Sequence, residues 1–142
     1  MQRASVTVGG QRVAAIGPGL LALVGVADGD GPADIDYTAS KIRGMRIFAD
    51  EQGRMNRSVG DVGGQVLLVS QFTLLGDLRR GRRPGFDAAA PPDAARLLYD
   101  QVVQRVRDDG LHVETGVFQT HMDVELVNDG PVTILIDSRR QF

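Results

Sequence analysis

The run Leu20-Leu21-Ala22-Leu23-Val24-Gly25-Val26 is free of polar side chains at every position. Side chains alternate between the two faces of a strand, so a run apolar on both parities is a strand that needs cover on both sides. The rest of the chain has to supply that cover. Ahead of it, Ser5-Val6-Thr7-Val8 and Gln11-Arg12-Val13-Ala14-Ala15-Ile16 flank Gly9-Gly10, the pattern of a hairpin with a glycine turn. Gly17-Pro18-Gly19 turns the chain into the apolar run, and Asp28-Gly29-Asp30-Gly31-Pro32 ends it. The aspartates invite a calcium loop, but the twelfth position counted from Asp28 is Ala39, not the bidentate glutamate such a loop needs. The segment is read as a plain loop.

Ile35, Ala39, Ile42 and Met45 fall on one helical face and predict an amphipathic helix of about three turns. Pro91-Pro92-Asp93 opens a second helix, with proline in the first turn and an acid at the positive end of the dipole. Its expected buried stripe is Ala95, Leu98, Val102 and Val106, and Gly110 is the stop. Further strands are expected at Arg46-Ile47-Phe48, Gln65 to Ser70, Val113 to Phe118, Met122 to Val127 and Val132 to Ile136. Strands and helices do not alternate regularly, which argues against a doubly wound nucleotide-binding fold. The pattern is that of an α+β domain with helices laid against sheet.

At 142 residues the chain is one domain, residues 1–142, and 42% hydrophobic with 24% charged residues is the balance of a globular protein. No apolar run approaches the roughly 20 residues that span a bilayer. The segment Met1-Gln2-Arg3-Ala4-Ser5 has no apolar stretch of a signal peptide, and there is no cysteine for a disulfide or a thiolate. Together these lead to the expectation of a cytoplasmic protein with no membrane partner. The net charge of -2 does not point to nucleic acid, but phosphate responds to the local field. Arg79, Arg80, Arg82 and Arg83 form the densest basic stretch, which read alone is a solvated loop. Composition permits RNA binding without arguing for it.

His112 and His121 are isolated and lack metal-ligand spacing, so neither a metal site nor a cofactor is expected. No G-x-S-x-G elbow, P-loop or G-x-G-x-x-G fingerprint is present. Two segments stand out instead. Ser70-Gln71-Phe72-Thr73-Leu74 puts three polar side chains where an apolar strand runs out. Such a cluster is either satisfied internally or faces a ligand. Asn128-Asp129-Gly130-Pro131-Val132-Thr133 reads as an ordinary turn, although its X-Pro bond can be cis.

Taken together these two segments closely resemble the signatures of the D-aminoacyl-tRNA deacylase family, an S-Q-F-T-L strand end followed by an N-x-G-P-V-T turn. The resemblance extends to Arg3-Ala4-Ser5-Val6-Thr7-Val8, Arg46-Ile47-Phe48, Met55-Asn56 and Arg83-Pro84-Gly85-Phe86. It implies a single domain of mostly antiparallel sheets, barrel-like and layered, with two helices packed against them. It also implies a homodimer that acts on aminoacylated tRNA, not on DNA. Ser70, Gln71, Phe72 and Thr73 would line the catalytic pocket for the 3'-terminal adenosine and its ester, with Phe118 and Met122 around the adenine. Gly130 and Pro131 would form a cis turn that enters the partner's pocket and sterically excludes an L side chain, while D residues and glycine mischarged on tRNA-Ala are accepted. Arg79, Arg80, Arg82 and Arg83 would follow the tRNA backbone. Thr73 matches a threonine considered as a nucleophile, but no nearby histidine or lysine serves as its base. The tRNA's own 2'-hydroxyl, with backbone amides at the oxyanion, is the expected chemistry.

Two readings compete with this one: a general esterase or amidase built on Thr73, and an RNA-binding homologue without activity. There is also one departure from the family pattern. Members carry an additional first strand ending in Q-R-V, whose arginine braces the G-P turn, whereas here the chain starts at Met1-Gln2-Arg3. A start codon assigned too late is the expected explanation. A true loss would leave the neighbouring strand unpaired.

Overall fold

The computed structural model describes residues 1–142. The expected hairpin forms: β1 (Arg3–Val8) pairs antiparallel with β2 (Gln11–Ile16), with a register shift between Val6 and Thr7. The next elements in chain order are β3 (Gly19–Val24), α1 (Pro32–Gly44), β4 (Phe48–Ala49), β5 (Met55–Arg57) and β6 (Gln65–Ser70). A short 3₁₀ turn (Phe72–Leu75), α2 (Pro92–Asp108), β7 (Val113–Thr115) and β8 (Asp123–Val127) complete the chain. β8 pairs antiparallel with the free edge of β1, giving a first sheet in the order β2-β1-β8. The second sheet, β3-β6-β7, is parallel throughout. Antiparallel pairing therefore holds for the first sheet and the small β4-β5 hairpin. It fails for the second sheet, because α1 and the hairpin carry the chain back from the end of β3 to the start of β6, and a crossover of that kind makes strands parallel.

Three layers result. On one side of the parallel sheet Leu67 and Val69 pack with Ala4, Val6, Ala14 and Ile16 of the first sheet. On the other, Val66 and Leu68 join Leu20, Val24, Ile35, Ala39, Ile42, Tyr99, Val102 and Val106 beneath the helices. β6 is thus the strand buried on both faces, and truncating Leu67 or Leu68 to Ala costs about 2–5 kcal/mol in such a setting. β3, read from its sequence as covered on both sides, is not: Leu23 is 42% exposed. The reason is position. β3 is an edge strand, and β2 of the first sheet lies over β6 and β7.

Both helices form as their periodicity predicts. α1 buries Ile35, Ala39 and Ile42, and the Asp34 carboxylate accepts the Gly31 N–H at 2.9 Å in its first turn. Met45 lies just past its end. α2 buries Ala95, Val102 and Val106 as expected, but Tyr99 and Val103 occupy its inner face while Leu98 is only half-buried. The Tyr99 hydroxyl donates to the Leu68 carbonyl at 2.8 Å, which satisfies it in the core. Neither helix is long and apolar enough to cross a membrane.

Three strand expectations come out shorter or fail. β7 stops at Thr115 rather than Phe118, and the Arg46–Phe48 segment contributes only Phe48 to a strand. Val132 to Ile136 pairs with nothing. Ile136 packs on the core, while Ile134 and Leu135 are exposed.

Candidate active site

β3, β6 and β7 run the same way, so Val24, Ser70 and Thr115 end at one edge of the parallel sheet. Ligands of parallel sheets collect at this carboxyl edge. Here the Ser70-Gln71-Phe72-Thr73 segment sits on it. The Gln71 N–H donates to Val24 O at 2.8 Å, one step beyond the ladder, and the chain then turns through Phe72–Leu75. That turn lies directly over Gly25, where an added Cβ would meet Leu75 Cδ2 at 2.6 Å. The glycine that interrupts the apolar run of β3 is the sequence signal for this close approach.

Ser70 and Gln71 are half-buried, whereas Phe72 and Thr73 are exposed. The Gln71 amide Nε2 donates to Thr73 Oγ1 at 3.0 Å. An amide is not a base, and no histidine, lysine or carboxylate bonds the hydroxyl. The Phe72 and Thr73 N–H groups at the start of the 3₁₀ turn have no acceptor within the chain. Phe72 meets Phe86 edge-on, ring centres 5.0 Å apart. Phe86 had no role in the sequence reading. Its neighbourhood to Phe72 spans fourteen positions and leaves no periodic trace.

On the neighbouring strand Gly116 N–H donates to Leu68 O at 3.1 Å, and the chain leaves the sheet. Met122 returns against it, its Sδ accepting the Val117 N–H at 3.4 Å, and packs with the inter-sheet cluster. Phe118 goes to the helix side, half-buried 6.2 Å from Tyr99 and under the Arg96 guanidinium at 5.6 Å. The two residues thus flank the Gly116–Val117 backbone from opposite sides. A groove of about 380 Å³ opens beside Phe118, with Arg96, Tyr99 and Arg107 of α2 in its wall.

The Gly130–Pro131 bond is cis, and both residues are exposed. They do not join the other site residues within the chain. β8 starts beside Met122 and carries the backbone about 17 Å away before the turn. No hydrogen bond links residues 128–135 to residues 70–73.

The arginine run divides. Asp77 and Gly85 pair across the base of an exposed loop. Arg79 forks onto Asp77, Nε to Oδ1 at 2.9 Å and Nη2 to Oδ2 at 2.7 Å. The Arg79 side-chain hydrogen bonds, then its backbone N–H, hold the Asp77 pKa down to about 2. Arg80, Arg82 and Arg83 stand at the loop tip without a carboxylate partner.

The family model described as D-Tyr-tRNA(Tyr) deacylase matches residues 1–137. A D-aminoacyl-tRNA deacylase of Symbiobacterium thermophilum is 63% identical over 142 residues, covering 100% of this chain and 94% of its own. One of Heliobacterium modesticaldum is 62% identical over 137 residues, covering 96% and 91%. Among solved structures, a protein described as c-Myc DNA unwinding element binding protein superposes with TM-score 0.88 at 38% identity, over 94% of this chain and 91% of that one. A probable eukaryotic D-amino acid tRNA deacylase shares the fold at TM-score 0.75 and 17% identity, over 92% and 91%. A match over residues 1–137, with the strand-end segment and the Gly-Pro turn both intact, means that this chain belongs to the D-Tyr-tRNA(Tyr) deacylase family.

Proposed function

We propose that this chain hydrolyses the ester joining a D-amino acid to the 3'-terminal adenosine of tRNA. The same site takes glycine mischarged on tRNA-Ala and rejects L residues. The observation that carries this reading is the intact Ser70-Gln71-Phe72-Thr73 segment on the carboxyl edge of the parallel sheet, in a chain so close to named D-aminoacyl-tRNA deacylases. Phe72, exposed at that edge, offers an aromatic face of the kind a nucleobase stacks on, and Phe118 lies beyond it beside the groove under Arg96. The open Phe72 and Thr73 amides are suited to a developing oxyanion, and Thr73 without a base is suited to positioning rather than attack. A water activated by the tRNA's 2'-hydroxyl then adds its oxygen to the ester carbonyl, the 3'-oxygen leaves as a hydroxyl by taking up the water's proton, and the side chains hold the ester in place.

Selectivity resides in Gly130 and Pro131 of a second copy. Within one chain the turn leads away from the pocket, so a two-fold dimer is the arrangement that brings it to a substrate. Ile134 and Leu135, 50% and 72% exposed on the same segment, supply apolar surface for that contact. Backbone carbonyls placed against the chiral centre would clash with an L side chain. D-aminoacyl-tRNA lives with the translation machinery, so the reading places the enzyme in the cytoplasm.

The test is turnover of D-Tyr-tRNA against L-Tyr-tRNA, glycyl-tRNA-Ala and a simple D-tyrosine ester. Rapid hydrolysis of the first and third alone is expected. Equal turnover of the simple ester favours a general threonine esterase, and tRNA binding without turnover favours an inactive homologue.

A further inference from the structure

From Val132 to Phe142 the chain joins no sheet, yet its far end is firmly held. The Gly31 N–H and then the Ser138 hydroxyl hold the Asp34 carboxyl below its usual range. Asp137 closes a turn of its own, accepting the N–H groups of Arg139 and Gln141, each at 3.0 Å. Arg139 is the long-range link. Its Nη2 donates to Asp28 O at 2.7 Å and to Asp30 Oδ1 at 2.9 Å, across more than a hundred residues of sequence. The Asp30 side chain is only 14% exposed, and its other oxygen accepts the Ala27 N–H at 2.8 Å. The anchor is therefore itself fixed.

That anchor belongs to the wall of the candidate site. Val24, where the segment begins, holds Gln71 through its carbonyl. Asp28 N–H donates to Ala88 O and Ala90 N–H to Val26 O, two to four residues after the Phe86 that meets Phe72. Between the anchor and β8 the single chain is held only where Ile136 packs on the core: Asn128 Nδ2 reaches only Val132 O, at 3.1 Å, and Ile134 and Leu135 are exposed until, on the proposed reading, a second copy covers them.

We infer that Arg139 is a positioning residue for the Gly130–Pro131 turn, clamping the far end of the segment that carries it through Asp28 and Asp30. The inference rests on the reading above, in which that turn rejects L substrates. A turn held by β8 on one side and by Ile136 and the Arg139 link on the other keeps its carbonyls in one place, whereas without Arg139 the far side loses its tie to the wall of the site. Steric exclusion depends on placement to within about 1 Å, so loosening the arm admits what the turn should exclude. Arg139 takes no part in the ester chemistry.

The measurement is kcat/KM for D-Tyr-tRNA and L-Tyr-tRNA with Arg139→Ala, expressed as the D/L ratio. This ratio cancels the amount of folded enzyme, so a purely structural loss leaves it unchanged. The expected ratio is about tenfold lower, equivalent to about 1.4 kcal/mol less discrimination, with the change arising from faster L hydrolysis. Arg139→Lys should restore most of it, since an ammonium can donate to both Asp28 O and Asp30. Gly130→Ala serves as the control for the turn itself: Gly130 has φ +125°, and an added Cβ would lie 2.8 Å from Val132 Cγ2. If Gly130→Ala changes the ratio and Arg139→Ala does not, the clamp has no positioning role while the turn reading stands. If neither changes it, the turn reading fails and the inference with it. Failure of Arg139→Lys to recover selectivity also overturns the clamp.

Discussion

Replacing Thr73 with Ala decides between positioning and nucleophilic attack, because the two predict effects of very different size. Thr73 Oγ1 has one partner in the chain, the Gln71 amide at 3.0 Å, on the exposed side of the carboxyl edge. Deleting a neutral hydrogen bond of this kind costs about 0.5–1.5 kcal/mol. In kcat/KM that corresponds to a fall of about 2- to 13-fold. Deleting an obligatory nucleophile instead lowers kcat by on the order of 10⁶. Steady-state release of D-tyrosine from D-Tyr-tRNA separates these outcomes without ambiguity. Thr73→Ser, which keeps the hydroxyl, should lie close to wild type. The double variant with Gln71→Ala should be no worse than the poorer single variant, because one bond is lost only once. Near-complete loss in Thr73→Ala, together with an acyl-enzyme trapped on the wild type, would refute the positioning argument and restore Thr73 as the nucleophile.

With Arg79 committed to Asp77, three arginines remain for phosphate, and tRNA affinity should fall with salt at a log-log slope of about -2 to -3. Arg80→Ala with Arg82→Ala should flatten that slope by about 1.5 and leave the D/L ratio alone; an unchanged slope, or equal competition by duplex DNA, would count against an RNA track. Burial, and then the Asp100 charge, pushes the Tyr99 phenol up to about 12. Since the unfolded phenol titrates near 10, stability should be intact below that value and decline between pH 10 and 12, and Tyr99→Phe should remove this alkaline loss in thermal melts. Tyr99→Phe itself should cost only about 0.5–1.5 kcal/mol, because Leu68 O keeps the Gly116 N–H. Sedimentation should show a dimer at assay concentrations, and a fully active monomer would remove the partner turn from the mechanism.

What could be read from the sequence is what local pattern controls. The Gly9-Gly10 hairpin, the two helices and β6 follow from alternation, helical spacing and turn residues, each contained within a few neighbours. What could not be read depends on a distant partner. Val132 to Ile136 alternates like a strand, but no edge is available to it. Leu20 to Val26 looks doubly buried, but whether Leu23 is covered depends on where β2 comes to lie. Arg79 and Arg80 are indistinguishable as letters, and only the fold shows that the first, though exposed, has its charge offset by the Asp77 fork. The parallel pairing of β3, β6 and β7 was hidden for the same reason, since the elements between β3 and β6 give no sign of which edge the chain returns to.

That parallel sheet is also what makes the site intelligible. Three strands running one way end together, so the polar residues following β6 are presented beside the exit of β7, and Phe86 comes alongside through the segment bonded to Val26 and Asp28. An antiparallel arrangement would have put the exits of neighbouring strands at opposite edges, with Ser70 to Thr73 facing the start of a strand instead. The first sheet does the converse. Because β8 runs antiparallel to β1, it takes the backbone from Met122 at the pocket to the Gly130–Pro131 turn at its far end. Pocket and turn are therefore separated in each chain by the length of one strand. On the proposed reading a second copy closes that distance, and the Arg139 clamp sets how accurately its turn arrives.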